Sequence, residues 1–144
     1  MPSDIASRFD FLVSDIARVQ GRLFDRLARE HLGLSRAQCR LLAVVAMSDA
    51  GMKQSVLADR LEMTPMGVGT LCARMEAGGW IRRDGKPDDR RAKVVSLLPS
   101  ARATVEAAIA LGDELMGEAL HGLSAAERKQ LVAMLKRVQA NLTL

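Results

Sequence analysis

Aromatic side chains are scarce in this sequence, which has three phenylalanines, one tryptophan and no tyrosine. Any core must therefore be built from Leu, Val, Ile, Ala and Met, a composition that favours packed helices over a β-sandwich. Hydrophobic residues still make up 49% of the 144 residues, which is enough for one folded domain. This composition argues against disorder and predicts a mainly helical fold.

Long apolar runs are missing too. No stretch approaches the roughly 18 apolar residues that a membrane span needs. The N-terminus, Met1-Pro2-Ser3-Asp4, carries no basic leader before an apolar segment. We therefore expect a cytoplasmic protein that does not associate with membranes.

Cysteine is rare as well. The two cysteines, Cys39 and Cys72, occur in a chain without a secretory signal, so a disulfide framework is not indicated. Both lie within apolar helical patterns, where a thiol is expected to be a small buried side chain. A redox switch at Cys39 or Cys72 is the alternative, and it requires a low thiol pKa and access to solvent.

Motifs for catalysis and metal binding are absent from the sequence. It has no Gly-rich phosphate loop, no His-Glu-x-x-His and no nucleophile elbow. His31 and His121 are expected at helix ends, where they interact with terminal carbonyls. No pair among the histidines and cysteines has close ligand spacing. We therefore expect a protein that is not an enzyme and binds no metal and no cofactor.

The net charge of +4 is concentrated in the middle of the chain. Residues 1–34 and residues 98–144 each hold five basic and five acidic side chains, so both flanks are neutral. Residues 35–97 hold eleven basic and seven acidic side chains, and residues 82–93 alone hold six basic and three acidic ones. Neutralisation of phosphates would concentrate charge in this way. A solvated loop tip is the alternative.

Both ends of the sequence have the apolar periodicity of long amphipathic helices. The first helix ends near Gly33, a residue suited to a left-handed helix terminus. The last helices resume after Pro99 and are separated by a capping box, Ser124 to Glu127. Because a small domain cannot cover such long stripes, we expect a homodimer in which terminal helices of both chains bury each other's apolar faces. The expected interface residues are Ile5, Phe9, Leu12, Ile16, Leu131, Leu135, Val138 and Leu142.

Three shorter helices are predicted between these ends. The first begins at a capping box, Ser35 to Gln38, and the second spans Lys53 to Leu61. The third begins with Thr64 as N-cap and Pro65 at the first helical position, and it ends at Gly78-Gly79. Inward-facing residues are expected to be Val56, Leu57, Ala58 and Leu61 in the second of these helices, and Val68, Leu71, Cys72 and Met75 in the third. Met66, Gly67, Gly69, Thr70 and Arg74 are expected on or near the outer face of the third.

A two-stranded hairpin follows these helices. Its predicted strands are Trp80–Arg83 and Lys93–Leu97, and the Gly, Pro and Asp residues between them form turns. Helix, turn, helix and basic hairpin is the order of a winged helix-turn-helix, in which one helix enters the major groove of DNA and the hairpin reaches the minor groove.

The predicted fold is mainly α with a small β wing, a winged helix-turn-helix flanked by N- and C-terminal dimerisation helices. Residues 1–34 are expected to form the N-terminal dimerisation helix and residues 35–98 the DNA-binding module. Residues 99–144 are expected to form the C-terminal dimerisation helices, and all three parts make one intertwined domain.

Three segments carry a family resemblance: Leu34-Ser35-Arg36-Ala37-Gln38, the run from Met63 to Ile81, and above all Asp88-Asp89-Arg90-Arg91-Ala92-Lys93-Val94-Val95-Ser96-Leu97. They resemble the MarR family of bacterial transcription regulators, and the resemblance covers essentially the whole chain. It implies a dimeric winged helix protein that binds a near-palindromic operator in double-stranded DNA, usually as a repressor of transcription. Such a repressor is often released when a small, commonly phenolic or aromatic, ligand binds.

The resemblance also implies roles for the wing. The helix matching Thr64–Ala77 lies in the major groove, and the arginine matching Arg91 enters the minor groove. The aspartate matching Asp89 orients that arginine, which a charge-assisted hydrogen bond to its guanidinium group could achieve. Arg90 is either a second phosphate contact or a solvated neighbour.

The sequence departs from the family pattern on the predicted recognition helix. Where many members carry a base-reading arginine, this chain has Thr70, so readout is expected to rest on thymine-methyl and backbone contacts, with Arg74 contacting phosphate or base. Gly67 and Gly69 lower intrinsic helix stability by about 1 kcal/mol each relative to alanine, and could permit close approach to DNA. The full set of expected DNA contacts is Gln54, Ser55, Thr64, Met66, Gly67, Gly69, Thr70, Arg74, Arg82, Lys86, Asp89, Arg90, Arg91 and Lys93. A winged helix that binds a protein instead of DNA is the competing hypothesis, because a fold does not determine its function.

Overall fold

The computed structural model describes residues 4–85 and 92–143. Within them, helices and strands follow in the order α1 (Phe9–Leu32), α2 (Arg36–Ala46), β1 (Met52–Lys53), α3 (Gln54–Leu61), α4 (Pro65–Ala77), β2 (Ile81–Asp84), β3 (Val94–Leu97), α5 (Arg102–Ala119) and α6 (Ala125–Leu142). Short 3₁₀ turns, Ile5–Ser7 and Pro99–Ala101, precede α1 and α5. This arrangement confirms the predicted class, mainly helical with a small sheet.

The helix ends follow from local side-chain chemistry. Gly33 ends α1 in the left-handed conformation, at φ 67°, as predicted. The Ser35 hydroxyl accepts the Gln38 backbone N–H at 3.1 Å, and the Gln38 side chain accepts the Ser35 N–H at 2.8 Å. Ser124 and Glu127 make the same reciprocal pair at the start of α6. Both predicted capping boxes are therefore confirmed.

The sheet has one more strand than the predicted hairpin. Its order is β1-β3-β2, and β1 pairs antiparallel with β3, with Met52 opposite Val95. Gly51 precedes β1 with φ +85°, and a Cβ there would lie 2.6 Å from the Ser96 Oγ and 2.9 Å from the Val95 carbonyl oxygen. Because neither the conformation nor the space suits a side chain, glycine is required where the chain approaches β3.

The prediction for the helix before α4 was wrong in two respects. Lys53 belongs to β1, so α3 begins one residue later, at Gln54. Val56 was expected to face inward, but 41% of it is exposed. The residues that α3 buries are Gln54, Leu57 and Ala58, which recur at the spacing of one helical face. Val56 lies off that face.

Residues up to 112 form one compact unit with a single hydrophobic core. The largest fully buried side chains are Leu41, Leu42, Val45, Leu57, Val68, Cys72, Met75, Ile81 and Val95, contributed by α2, α3, α4, β2 and β3. Ala28 of α1 and Ala108 of α5 are buried in the same cluster. Burial of each large aliphatic side chain contributes about 1.5–3 kcal/mol, so this core holds α3, α4 and the sheet together.

Residues 113–144 form a second compact unit. Its turn between α5 and α6 is held by Arg128, whose guanidinium donates to the carbonyl oxygens of Leu120 at 3.0 Å and Leu123 at 3.2 Å. Gly122 occupies this turn with φ +90°. Among the described residues, no helix combines the length and apolarity that crossing a membrane requires.

Candidate nucleic-acid interface

A short joint connects α3 to α4. Glu62 ends α3 in the left-handed conformation, at φ 52°, and the N–H of Met63 returns to the Ala58 carbonyl at 3.0 Å. The Thr64 hydroxyl then accepts the Gly67 N–H at 3.0 Å, and Pro65 is the first residue of α4. The predicted N-cap is thus confirmed, and the two helices form a helix-turn-helix.

The two faces of α4 differ in their surroundings. Val68, Cys72 and Met75 are buried in the core. Met66, Thr70, Ala73, Arg74 and Ala77 are exposed, and they recur at the spacing of one helical face. This surface, which we call the outer face of α4, includes three residues that the sequence nominated for DNA contact: Met66, Thr70 and Arg74.

The two glycines of α4 have different neighbours. A Cβ at Gly67 would lie 3.1 Å from the Thr64 hydroxyl oxygen, so this glycine leaves room for the cap. A Cβ at Gly69 would lie 3.6 Å from the Gln54 Nε2, which is an ordinary contact. Gly69 is half-buried and faces α3, so it lies beside the outer face and not on it.

Gln54 joins α3 to the sheet. Its backbone N–H donates to the Lys93 carbonyl at 2.8 Å, and its Oε1 accepts a hydrogen bond from the Arg83 Nη1 at 3.5 Å. Only 3% of Gln54 is exposed. Because its side chain is enclosed, Gln54 is not accessible for the DNA contact that the sequence predicted. Ser55, the next residue, is exposed at the start of α3.

Arg83 and Glu76 form an ion pair that the sequence analysis missed. The Arg83 Nη2 lies 3.1 Å from the Glu76 Oε1, and the Arg83 backbone N–H donates to the Glu76 Oε2 at 3.1 Å. The Arg83 side chain is only 12% exposed. Its hydrogen bonds hold the pKa of the Glu76 carboxyl below its ordinary value. Arg83, which lies on β2, therefore links this strand to the end of α4 and to the start of α3.

Strand alternation could have identified Arg83 from the sequence. Ile81 is buried, so residue 83 lies on the same side of the strand, facing inward. A cation placed there needs a carboxylate partner. Arg82, which the sequence nominated instead, lies on the opposite, exposed side of β2 and pairs with Asp84 at 2.8 Å.

The other hairpin residues that were predicted to contact DNA are only partly described by the structure. Lys93 is half-buried just before β3. Lys86, Asp89, Arg90 and Arg91 lie outside the described residues. Their roles stay predictions from the sequence.

The nominated interface residues lie largely on exposed helix surfaces. In the first unit, Phe9, Leu12 and Ile16 are 56%, 46% and 62% exposed on α1, and Ile5 is exposed in the turn before it. In the second unit, Leu135 and Leu142 are exposed on α6, whereas Leu131 and Val138 are half-buried.

Both cysteine thiols are buried. Burial raises the pKa of Cys39, and it raises the pKa of Cys72 to about 11. The thiolate is the reactive form, so at neutral pH both side chains are protonated and enclosed. This environment suits the structural role and gives no support to the redox alternative. The described residues contain no group of three or more His, Cys, Asp or Glu side chains that could hold a metal ion.

Comparisons with known proteins agree with this geometry. Residues 32–92 match the sequence model of the MarR family. The HTH-type transcriptional regulator YdgJ of Bacillus subtilis is 28% identical over 110 residues, which span 76% of this chain and 66% of YdgJ. The crystal structure of the transcriptional regulator PA3341 is 28% identical, with a TM-score of 0.78 over 94% of this chain and 98% of that one. The S. aureus MepR–DNA complex shares the fold, with a TM-score of 0.73 and 24% identity over 94% of this chain and 97% of MepR. Residues 32–92 therefore match the MarR family of transcriptional regulators, and the described fold is similar to that of solved transcriptional regulators such as PA3341.

Proposed function

We propose that this protein binds a near-palindromic operator in double-stranded DNA as a homodimer and represses transcription. The observation that carries the proposal is the outer face of α4, exposed on a helix whose other face is buried in the core and followed in the sequence by the basic segment 82–93. The core and the Arg83–Glu76 pair hold α4 in place on its other side. A helix fixed in this way can enter the major groove, which is about 12 Å wide, without refolding.

The electrostatics support a nucleic-acid partner. Arg74 is exposed on the outer face of α4, and within residues 4–85 and 92–143 no carboxylate pairs with it. Segment 35–97 holds the entire excess of positive charge. Cations that no carboxylate neutralises attract phosphates. We propose that Arg74 contacts phosphate or base, and that Ser55, Thr64 and Lys93 lie near the DNA backbone.

The wing is proposed to contact the adjacent minor groove. This part rests on the family motif, in which Arg91 inserts into the groove and Asp89 orients it. Arg82, on the exposed side of β2, is proposed to add a phosphate contact once its exposed pair with Asp84 opens. We expect Arg91→Ala to weaken specific binding by about 1–3 kcal/mol.

Dimerisation is proposed to use the apolar stripes of the terminal helices. All residues from 9 to 20 of α1 are exposed, although the stripe includes Phe9, Leu12 and Ile16. Among the residues of α1, only Ala28 is buried. A second subunit would remove this apolar surface from water. The same reasoning applies to Leu135 and Leu142 of α6.

Release by a small phenolic or aromatic ligand is proposed from the family resemblance. The probe is benzoate or a hydroxybenzoate added to a preformed protein–DNA complex. A lowered DNA affinity that saturates with the probe supports the effector role, and an affinity unchanged at millimolar probe contradicts it for this class of ligand.

The whole proposal is tested by selecting duplexes from a random pool and measuring their affinity for the purified protein. We expect the selected sequence to contain two related half-sites and to bind at least about a thousandfold more tightly than random duplex. A winged helix that binds protein would give no enriched sequence and no preference over random duplex.

A further inference from the structure

The outer face of α4 offers little hydrogen bonding for its size. Met66, Ala73 and Ala77 have no strong side-chain donor or acceptor, and the cation Arg74 is the exception. The nearby Glu76 carboxylate is engaged by Arg83. A helix face of this composition cannot read bases mainly through hydrogen bonds.

Thr70 has already used its donor. Its hydroxyl donates to the Met66 carbonyl at 3.1 Å, one turn earlier in the same helix. A threonine has one hydroxyl proton, so Thr70 retains only acceptor capacity there. The other branch of its Cβ is a methyl group, on a residue that is exposed.

Met66 is the most exposed large hydrophobic side chain in the described part of the chain, at 82%. It lies one turn before Thr70 on the same face, at the N-terminal end of α4. Beside it, the apolar residues Ala58, Met63 and Pro65 line an open cavity of about 480 Å³ at the helix-turn-helix joint, together with the polar residues Gln54, Ser55 and Asp59. Met66 and the methyl group of Thr70 are thus exposed apolar groups of the first two turns of α4.

In the major groove, the apolar feature of a base edge is the C5-methyl group of thymine. We propose that Met66 and Thr70 determine specificity by packing against thymine methyl groups, so that the operator half-site carries thymines opposite the first two turns of α4. This inference rests on the proposed DNA-binding function and adds the chemistry of base selection to it.

Replacing thymine by deoxyuridine removes that methyl group and leaves base pairing and the hydrogen-bonding edge unchanged. Burial of one methyl-sized group corresponds to about a fourfold change in affinity. Because the symmetric replacement removes one buried methyl group from each of two half-sites, we expect wild-type affinity to fall about 15-fold. Each thymine of the selected duplex would be replaced singly and symmetrically, and thymines outside the half-sites serve as the control for altered duplex properties.

Variants of Thr70 separate its methyl group from its hydroxyl. Thr70→Val keeps the branched shape and removes the hydroxyl, so we expect near wild-type affinity and an unchanged preference for thymine over deoxyuridine. Thr70→Ser keeps the hydroxyl and removes the methyl, so this preference should fall to less than about twofold at the contacted position, against about fourfold in wild type. Thr143→Ser is the control, because the Thr143 hydroxyl donates in the same way to a carbonyl one turn back, that of Gln139 at 2.9 Å, at the C-terminal end of α6.

The outcomes are distinguishable from failure of the proposed function. If no duplex is selected, DNA-specific regulation itself is contradicted. If a duplex is selected but binds equally well with deoxyuridine at every position, methyl recognition is overturned and the regulator remains. Deoxyuridine could instead lower the DNA affinity of wild type and of Thr70→Ser equally at every position, while Met66→Ala abolishes the preference for thymine. That result would overturn the role of Thr70 in base recognition.

Discussion

Helices α1 and α4 belong to the same compact unit but place their apolar side chains differently. In α4 the apolar residues Val68, Cys72 and Met75 are buried against the chain's own core, and Met66 is the large exception. In α1 the apolar stripe is exposed along more than half of the helix.

The contrast shows which apolar side chains are buried within one chain and which are left exposed. The position of α4 is determined within one subunit, so its exposed face is available for recognition. The stripe of α1 remains exposed, and a second subunit is proposed to cover it. A substitution in the α1 stripe should therefore have an effect that depends on protein concentration. A substitution beneath α4 should have an effect that does not.

The largest effect is expected in the core beneath α4. Leu57 is 0% exposed, and Leu57→Ala should lower the free energy of unfolding by about 2–5 kcal/mol through lost burial and a cavity. Unfolding in a series of urea concentrations measures this free energy. Val56→Ala, on the same helix but 41% exposed, is the control and should cost far less. Equal losses at the two sites would contradict the described packing of α3.

A charge on the α1 stripe should act on assembly instead. Ile16→Asp places a carboxylate in the proposed dimer interface and should raise the dimer dissociation constant by about 100-fold or more. Light scattering over a dilution series measures the mass. Ala110→Asp, on an exposed position of α5, is the control. A variant that remains dimeric at the wild-type concentrations would show that α1 does not form the interface.

A smaller loss is expected when Arg83 is removed. Arg83→Ala leaves the Gln54 and Glu76 oxygens without their partner and should cost about 1–3 kcal/mol of unfolding free energy. Arg82→Ala, on the exposed side of the same strand, should change stability by less than about 0.5 kcal/mol. If the two variants lose the same stability, the assignment of Arg83 as the residue that fastens α4 to the sheet is wrong.

The smallest effect is a pH dependence at Glu76. Its pKa is lowered in the folded state by Arg83, so it adds stability above the ordinary glutamate value of 4.5 and loses it as pH falls through the folded-state pKa. Wild type should exceed Glu76→Gln in stability at about pH 7, and the difference should shrink as the pH falls below the ordinary value. Because Glu76 is 40% exposed, we expect less than about 1 kcal/mol. A difference that stays constant across this range would exclude the ion pair as its cause.

Local features of the fold were predictable from the sequence, and contacts between distant residues were not. The caps at Ser35, Thr64 and Ser124 depend on residues three positions apart, so short motifs identify them. Strand β1 is two residues long, which is too short for a periodicity of its own, and it is recognised by its pairing with β3.

The same limit applies to the candidate site. The outer face of α4 follows from helical periodicity, and the sequence placed Met66, Thr70 and Arg74 correctly on it. The Arg83–Gln54 hydrogen bond joins residues 29 apart in the chain. Its existence depends on how α3 packs against the sheet, which local patterns do not specify.

The central claim is that the outer face of α4, with the neighbouring basic hairpin, binds a specific DNA duplex. The most direct measurement is a fluorescence anisotropy titration of the selected duplex and a random duplex, from about 50 to 200 mM salt, with wild type and Arg74→Ala. We expect wild type to prefer the selected duplex at every salt concentration. The logarithm of its affinity should fall linearly with the logarithm of the salt concentration. Arg74→Ala should weaken binding and, if Arg74 contacts phosphate, reduce the salt slope by about 1. Equal affinity of wild type for the two duplexes at every salt concentration would contradict the account.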